Sequence, residues 1–145
     1  MKKCVITVCF IFIAVMAVAG CAGQSENTDK APVDIDLTEL SMTMIQAEYE
    51  RIVSSPDENI GKTISVYGSL LTYIYDADYK LAHFVIIVQG DECCQMGFEF
   101  KIDGDYEFPD DYPQQNSMIK ITGTLNIHEI FGTEYLYIAV DEYPF

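Results

Sequence analysis

The chain has few basic residues, only two histidines and no tryptophan. Lysine and arginine together number 8 against 23 aspartates and glutamates, so the formal net charge is −15 over 145 residues. Proteins that bind nucleic acid need Lys and Arg to neutralise phosphates, and adhesion to anionic lipid needs the same side chains. We therefore expect no nucleic-acid partner and no electrostatic attachment to a lipid surface. The length predicts a single domain.

The sequence motifs of common enzyme classes are also missing. The chain contains no Gly-x-Ser-x-Gly, no His-Glu-x-x-His, no phosphate-binding loop and no Cys-x-x-Cys. We therefore expect a protein that is not an enzyme and that requires no cofactor.

The first 21 residues carry the clearest signal in the chain. Lys2 and Lys3 precede an apolar run, and this succession of a positive and an apolar region is typical of a secretory signal peptide. The run is shorter than the roughly 20 residues of a membrane-spanning helix. The run ends in Val18-Ala19-Gly20-Cys21, which resembles the lipobox of bacterial lipoproteins. The resemblance implies that residues 1–20 are removed and that Cys21 carries a diacylglyceryl group, with a further acyl chain such as palmitate on its amine. The alternative is an uncleaved N-terminal anchor helix.

Lipidation at Cys21 predicts where the protein works. Each buried acyl methylene contributes about 0.8 kcal/mol, and two or more chains give stable anchoring. We expect the protein on the extracytoplasmic face of the cell membrane, or on the outer membrane of a two-membrane host, where an envelope or membrane protein is its expected partner. Loss of Lys2 and Lys3 changes the formal charge to 6 − 23 = −17.

Cysteine usage excludes a disulfide-stabilised scaffold. Cys4 and Cys9 lie in the signal segment and Cys21 in the lipobox, so only Cys93 and Cys94 remain of the five cysteines. The Cα atoms of adjacent residues are about 3.8 Å apart, below the usual disulfide span of about 4.4 Å or more. A disulfide between these two residues would be strained and easily reduced.

Three interpretations of Cys93 and Cys94 stay open. The thiols are structural and packed near a strand, or they form a zinc or copper(I) site, or they act as a redox switch through a strained disulfide. A metal site would need further ligands, and His83, His128 and the Asp91-Glu92 pair are the candidates. His83 is the one we assign to the site with Cys93 and Cys94.

The segment before the main domain predicts a tether and then a helix. Residues 21–36 are the lipidated cysteine and small, polar residues that have nothing to bury, which is typical of a flexible tether. Asp36 and Glu39 have the spacing of a capping box, and apolar residues then recur at helical period. We predict an amphipathic helix from about Leu37 to Val53.

From residue 60 onward the hydrophobic period changes to two, which predicts five strands. They lie at about Ile64–Leu70, Phe84–Val88, Gln95–Ile102, Ile119–Leu125 and Tyr135–Val140, with a loop at residues 103–117. Gly68 and Gly123 stand midway in the first and fourth strands, where glycine permits the coiling that closes a barrel. We predict a mainly β domain over residues 37–145, in which one helix precedes a small five-stranded Greek-key barrel that resembles the OB-fold.

Three segments carry a more particular resemblance: Ile60–Ile64, Asp91–Phe100 and Tyr112–Leu125. They look like a family of uncharacterised bacterial lipoproteins with an OB-like domain and a Cys-Cys motif before a Gly-x-Glu-Phe strand. They are more distantly similar to the extracytoplasmic domain of a permease-associated membrane protein family. The resemblance implies a fold, an envelope address and a role for Cys93 and Cys94, but no activity.

The expected function is therefore a lipid-anchored, extracytoplasmic binding or interaction module of unknown ligand. The alternative is a metal-handling or redox-sensing envelope lipoprotein that uses Cys93 and Cys94. Tyr73, Tyr75 and Tyr79 cluster at the first turn, where they would form a stacking surface for sugars, although barrel filling is the commoner role of such residues. The carboxylates of the 103–111 loop lack the spacing of an EF-hand, and we interpret them as a solvated turn.

Overall fold

The computed structural model describes residues 32–74, 80–87, 95–130 and 132–145. These ranges contain six strands and one α-helix, so the mainly β class is confirmed. The elements are β1 (Ile35–Asp36), α1 (Met42–Ser54), a 3₁₀ turn (Pro56–Glu58), β2 (Thr63–Ile74), β3 (Leu81–Ile87), β4 (Met96–Ile102), β5 (Met118–Ile130) and β6 (Thr133–Val140). The predictions for Cys21, for Cys93 and for Cys94 lie outside the described residues.

The strands form one mixed sheet with the order β1-β2-β3-β4-β6-β5. β2, β3 and β4 are antiparallel neighbours, β4 and β6 are parallel, and β6 is antiparallel to β5. β5 pairs in addition with the first half of β2, from Thr63 opposite Thr124 to Ser69 opposite Met118. β2 is therefore connected to β5 in two ways: by direct pairing, and through β3, β4 and β6 in turn.

At two glycines, the backbone of a neighbouring strand leaves no room for a side chain. A Cβ atom on Gly68 would overlap the carbonyl oxygen of Ile86 in β3, and one on Gly123 would overlap that of Ala139 in β6. A side chain fits at neither position, which is why only glycine allows these strands to approach one another so closely.

The core lies on one face of the strands, as the period of two predicts. Phe98 and Phe100 are buried while Lys101 between Phe100 and Ile102 is exposed. The helix adds its own apolar stripe, because Ile45 and Ile52 belong to the same cluster of buried residues. The five predicted strands correspond to β2 through β6, of which β2 and β5 extend beyond their predicted ends, and residues 103–117 contain turns.

The predicted start of the helix at Leu37 is wrong, since α1 begins at Met42. Ile35 and Asp36 instead pair in parallel with β2, and the Leu37 N–H donates to the carbonyl of Ser65 at 2.9 Å. Ile35 and Leu37 are both buried in the core. The last residues of the predicted tether therefore lie on the sheet, because strand pairing and burial outweigh a local helix signal.

Asp36 caps a turn and not the helix. Its carboxylate accepts hydrogen bonds from the hydroxyl of Thr38 at 2.6 Å and from the N–H of Thr38 at 2.9 Å. These bonds, the hydroxyl's above all, lower the pKa of Asp36. The N-cap position of α1 is Ser41, whose side chain makes no capping hydrogen bond.

Asn59 holds the end of α1 against the start of β2. This side chain is fully buried, and its amide donates to the carbonyl of Ser55 at 2.8 Å. Its carbonyl oxygen accepts from Arg51 at 3.0 Å and from Lys62 at 3.1 Å. Because every polar atom of the amide group has a partner, the hydrogen bonds of the buried asparagine offset the cost of its desolvation and link the helix to the start of β2.

A candidate ligand-binding groove

β4 and β6 pair over only part of their lengths. Their register joins Glu99 to Tyr137 and ends at Ile102 and Val140. Before that point β4 pairs with β3 alone and β6 pairs with β5 alone. Within the described ranges, residues 96–98 and 133–136 have no strand partner on the side where the two strands part. The two strands diverge there and leave an opening.

A groove of about 680 Å³ lies at this opening. That volume is within the roughly 300–1,000 Å³ of small-molecule sites. α1, β2, β3, β4 and the β5–β6 hairpin all contribute to its walls, which are mostly aromatic and aliphatic. The aromatic lining residues are Tyr49, Tyr73, Phe84, Phe98 and Tyr135, and the aliphatic ones are Val53, Ile74, Ala82, Ile130 and Leu136.

Ring contacts fix part of this wall. Tyr73 packs edge-to-face on Phe84 with centroids 5.9 Å apart, and Tyr49 packs on Phe98 in the same manner at 5.2 Å. Tyr73 and Tyr135 still expose about half of their surface, 52% and 47%. The groove therefore presents aromatic surface that nothing within the described ranges covers.

Glu99 is the one charged side chain among the described residues that line the groove. It is almost fully buried, and its Oε2 atom lies 2.9 Å from Nε2 of His128. The Lys101 ammonium lies 2.7 Å from Nδ1 of the same histidine, 3.7 Å from Oε1 of Glu99 and 4.6 Å from the centre of the Tyr137 ring.

The neighbours of His128 indicate which of its ring nitrogens accepts a hydrogen bond and which donates one. An ammonium can only donate, so Nδ1 of His128 accepts from Lys101, and Nε2–H donates to Glu99. His128 therefore bridges the ammonium of Lys101 and the carboxylate of Glu99. Lys101 thus lies close enough to offset the charge of Glu99, although Lys101 does not itself line the groove.

A second depression extends the groove at one end. It has a volume of about 200 Å³ and shares Val53, Tyr135 and Leu136 with the larger one. Its far side is lined by Pro56 and Glu134. The combined surface is elongated, apolar along most of its length and acidic at one end.

His83 lies away from the groove. It alternates along β3 with Ala82 and Phe84, both of which line the groove, so its ring points to the opposite face. The ring stacks on Tyr112 with centroids 4.3 Å apart and an interplanar angle of 18°. Its Nδ1 atom lies 3.0 Å from the hydroxyl of Thr72. Burial lowers the pKa of His83, so the ring is neutral at pH 7.

The structure does not test the predicted metal site. His83 is described, whereas Cys93 and Cys94 lie outside the described residues, so the site stays a prediction. Across the four described ranges, no group of three or more His, Cys, Asp and Glu side chains is arranged to hold a metal ion.

The sequence indicated part of the groove and missed the rest. Tyr73, for which barrel filling was the preferred interpretation and a stacking surface the alternative, lines the groove, while Tyr75 and Tyr79 lie outside the described residues. Glu99 was missed, although its alternation with Phe98 and Phe100 was a usable sign that it faces away from the core. The approach of Glu99 to His128 carried no sequence signal, because it depends on the order of three strands.

No helix in the described ranges is long and apolar enough to cross a bilayer. In comparisons with known proteins, no family model matches the chain, and no curated protein or solved structure matches it either.

Proposed function

We propose that this protein is a lipid-anchored, extracytoplasmic binding module that holds an apolar, elongated ligand in the groove between β4 and β6. The observation that carries the proposal is the groove itself, with a volume of about 680 Å³ and a lining of aromatic and aliphatic side chains. Its single charged lining residue, Glu99, is already balanced by Lys101. The groove therefore favours an apolar or aromatic group over a free ion, and the protein binds without catalysing a reaction.

We further propose that the sheet is an OB-like Greek-key barrel. The supporting observations are the return of the pairings from β5 to β2 and the parallel pairing of β4 with β6. OB-folds bind ligands on the face of their second and third strands, between the first and fourth loops. In this chain those strands are β3 and β4, and those loops follow Ile74 and Ile130. Residues of both strands line the groove, as do Ile74 and Ile130 at the ends of β2 and β5, which supports a binding role for it.

The lipid anchor is tested by metabolic labelling. Cells that express the full chain are grown with radiolabelled palmitate, beside cells that express the Cys21→Ser variant. We expect label on the wild-type protein and none on the variant. Equal labelling of the two chains, or none on either, contradicts the proposed anchor.

The groove is tested with the neutral fluorescent dye N-phenyl-1-naphthylamine. The full chain is placed in nanodiscs of phosphatidylcholine, and empty discs supply the background. Tyr135→Ala removes groove surface, while Tyr67→Ala removes a tyrosine of similar exposure that does not line the groove. Loss of one ring contact worth about 1 kcal/mol weakens binding roughly fivefold. We expect this loss for Tyr135→Ala alone, and equal dye binding by the two variants contradicts the groove as the site.

A further inference from the structure

We propose that the occupant of the groove is an extended segment of a partner protein, with apolar side chains along its middle and a basic residue at the end beside Glu134. The segment adds as a strand where β4 and β6 part. The inference rests on the proposed binding function and names the class of ligand.

The first argument is the state of the backbone at the opening. β4 at residues 96–98 and β6 at residues 133–136 each have a strand on one side only within the described ranges. Gly97 and Phe98 on one edge, and Tyr135 and Leu136 on the other, line the groove. Backbone N–H and C=O groups at a strand edge pair readily with another extended chain. A small apolar molecule leaves them without such partners, whereas a peptide satisfies them.

The second argument is the shape of the surface. The two depressions are continuous through Val53, Tyr135 and Leu136, so the groove runs past the helix and along the hairpin. Alternate side chains of an extended peptide point to the same face. A peptide can therefore place its apolar residues against the aromatic wall while its backbone follows a strand edge.

The third argument is the charge at the end of the groove. Glu134 lies directly opposite Glu129 in the β5–β6 hairpin, and both side chains are exposed. Like charges at directly opposite positions destabilise a strand pair. A lysine or arginine of the partner would relieve this repulsion. The net charge of −15 also favours a basic partner, because it attracts basic segments and repels acidic ones, including a second copy of this chain.

The test uses fluorescein-labelled peptides with the full chain in phosphatidylcholine nanodiscs. The probe is Lys-Lys-Leu-Thr-Val-Thr-Leu, together with the reversed order, since the direction of the added strand is free. One comparison peptide replaces both lysines with glutamate, and another carries N-methyl groups on alternate backbone nitrogens. We expect the lysine peptide to bind at least tenfold more tightly than either comparison peptide.

A matched pair of variants locates the basic end. Glu134→Gln and Glu142→Gln each remove one exposed carboxylate, and of the two only Glu134 lines the second depression. We expect Glu134→Gln to weaken the lysine peptide about threefold to tenfold, and Glu142→Gln to leave its affinity unchanged. Equal effects of the two variants, or equal affinity for the lysine and glutamate peptides, overturn the inference.

The outcomes separate this inference from the proposed function. Dye binding that Tyr135→Ala weakens, without any peptide binding, overturns the peptide inference and leaves the binding module standing. Tight binding of the N-methylated peptide overturns strand addition. Self-association of the chain that Tyr135→Ala abolishes makes the occupant a second copy, and also overturns it. Absence of both dye and peptide binding overturns the proposed function together with the inference.

Discussion

Replacement of Gly68 by alanine tests how closely β2 lies against its two neighbours. Gly68 is paired with Ile119 of β5, while a Cβ atom there would overlap the carbonyl oxygen of Ile86 in β3 and approach Cγ2 of Val85 to 3.1 Å. A carbonyl group in a sheet cannot rotate away, so one of the strands has to move. Overpacking of this kind costs typically about 1–3 kcal/mol, and the backbone contact places Gly68→Ala near 3 kcal/mol.

The assay is urea unfolding of the full chain in a mild detergent, followed by far-UV circular dichroism. Ser69→Ala is the control, since Ser69 is the next residue and only half-buried. We expect a loss of about 3 kcal/mol for Gly68→Ala, which corresponds to a fall in Tm of roughly 12 °C, and less than about 1 kcal/mol for the control.

A second pair of variants separates backbone from side-chain overlap. A Cβ on Gly97 would lie 2.7 Å from Cδ1 of Ile86, and Ile86→Val removes that atom. Ile86→Val should therefore recover part of the loss in Gly97→Ala and none of the loss in Gly68→Ala. A free energy of unfolding for Gly68→Ala within about 0.5 kcal/mol of wild type would refute the close approach of β2 and β3.

Three further changes test the core and the hairpin, each by urea unfolding. Burial lowers the pKa of His83 below its ordinary 6.5, so the unfolded chain binds more protons and stability should fall as the pH drops below about 6.5, by at most about 1.4 kcal/mol per pH unit. His83→Gln should lose this part of the pH dependence, and an unchanged slope contradicts the assignment. Asn59→Ala removes a buried amide with two charged donors and should cost roughly 2–3 kcal/mol; a loss below about 1 kcal/mol would show that water replaces it. Glu129→Gln relieves the repulsion from Glu134 and should stabilise the chain by roughly 0.2–1 kcal/mol, at low salt more than at high salt; a destabilised variant contradicts the like-charge contact.

The strands were predictable because each has one buried face. In β4 the apolar residues Phe98 and Phe100 alternate with Glu99 and Lys101, and the period of two follows directly from a sheet with a core on one side. The helix start was not predictable in the same way. Asp36 and Glu39 have capping-box spacing, but Ile35 and Asp36 find partners in β2 that a local window does not include. Tertiary pairing thus overrides a local signal of similar strength.

The groove was only partly predictable for a related reason. Tyr73 is the next-to-last residue of β2 and belongs to the tyrosine cluster for which a stacking surface was the alternative to barrel filling. The rest of the wall comes from elements far apart in sequence, such as Tyr49 in α1 and Tyr135 in β6. They meet because β4 and β6 diverge before Glu99 and Tyr137. This divergence depends on how the two strands pair, which the sequence of neither strand indicates by itself.

The arrangement of strand edges explains why the opening lies between β4 and β6. β2 is also longer than its pairing with β3, which begins only at Ser69. On that side of β2 lies an extended segment of the protein itself, since Ile35 and Asp36 pair with Ile64 and Ser65. Ile35 and Leu37 of this segment are buried in the core. The opening at β4 and β6 has no such segment within the described residues. β1 therefore shows, inside this molecule, the mode of binding that we propose for the partner: a short extended chain that pairs along a free strand edge and buries its apolar side chains beside it.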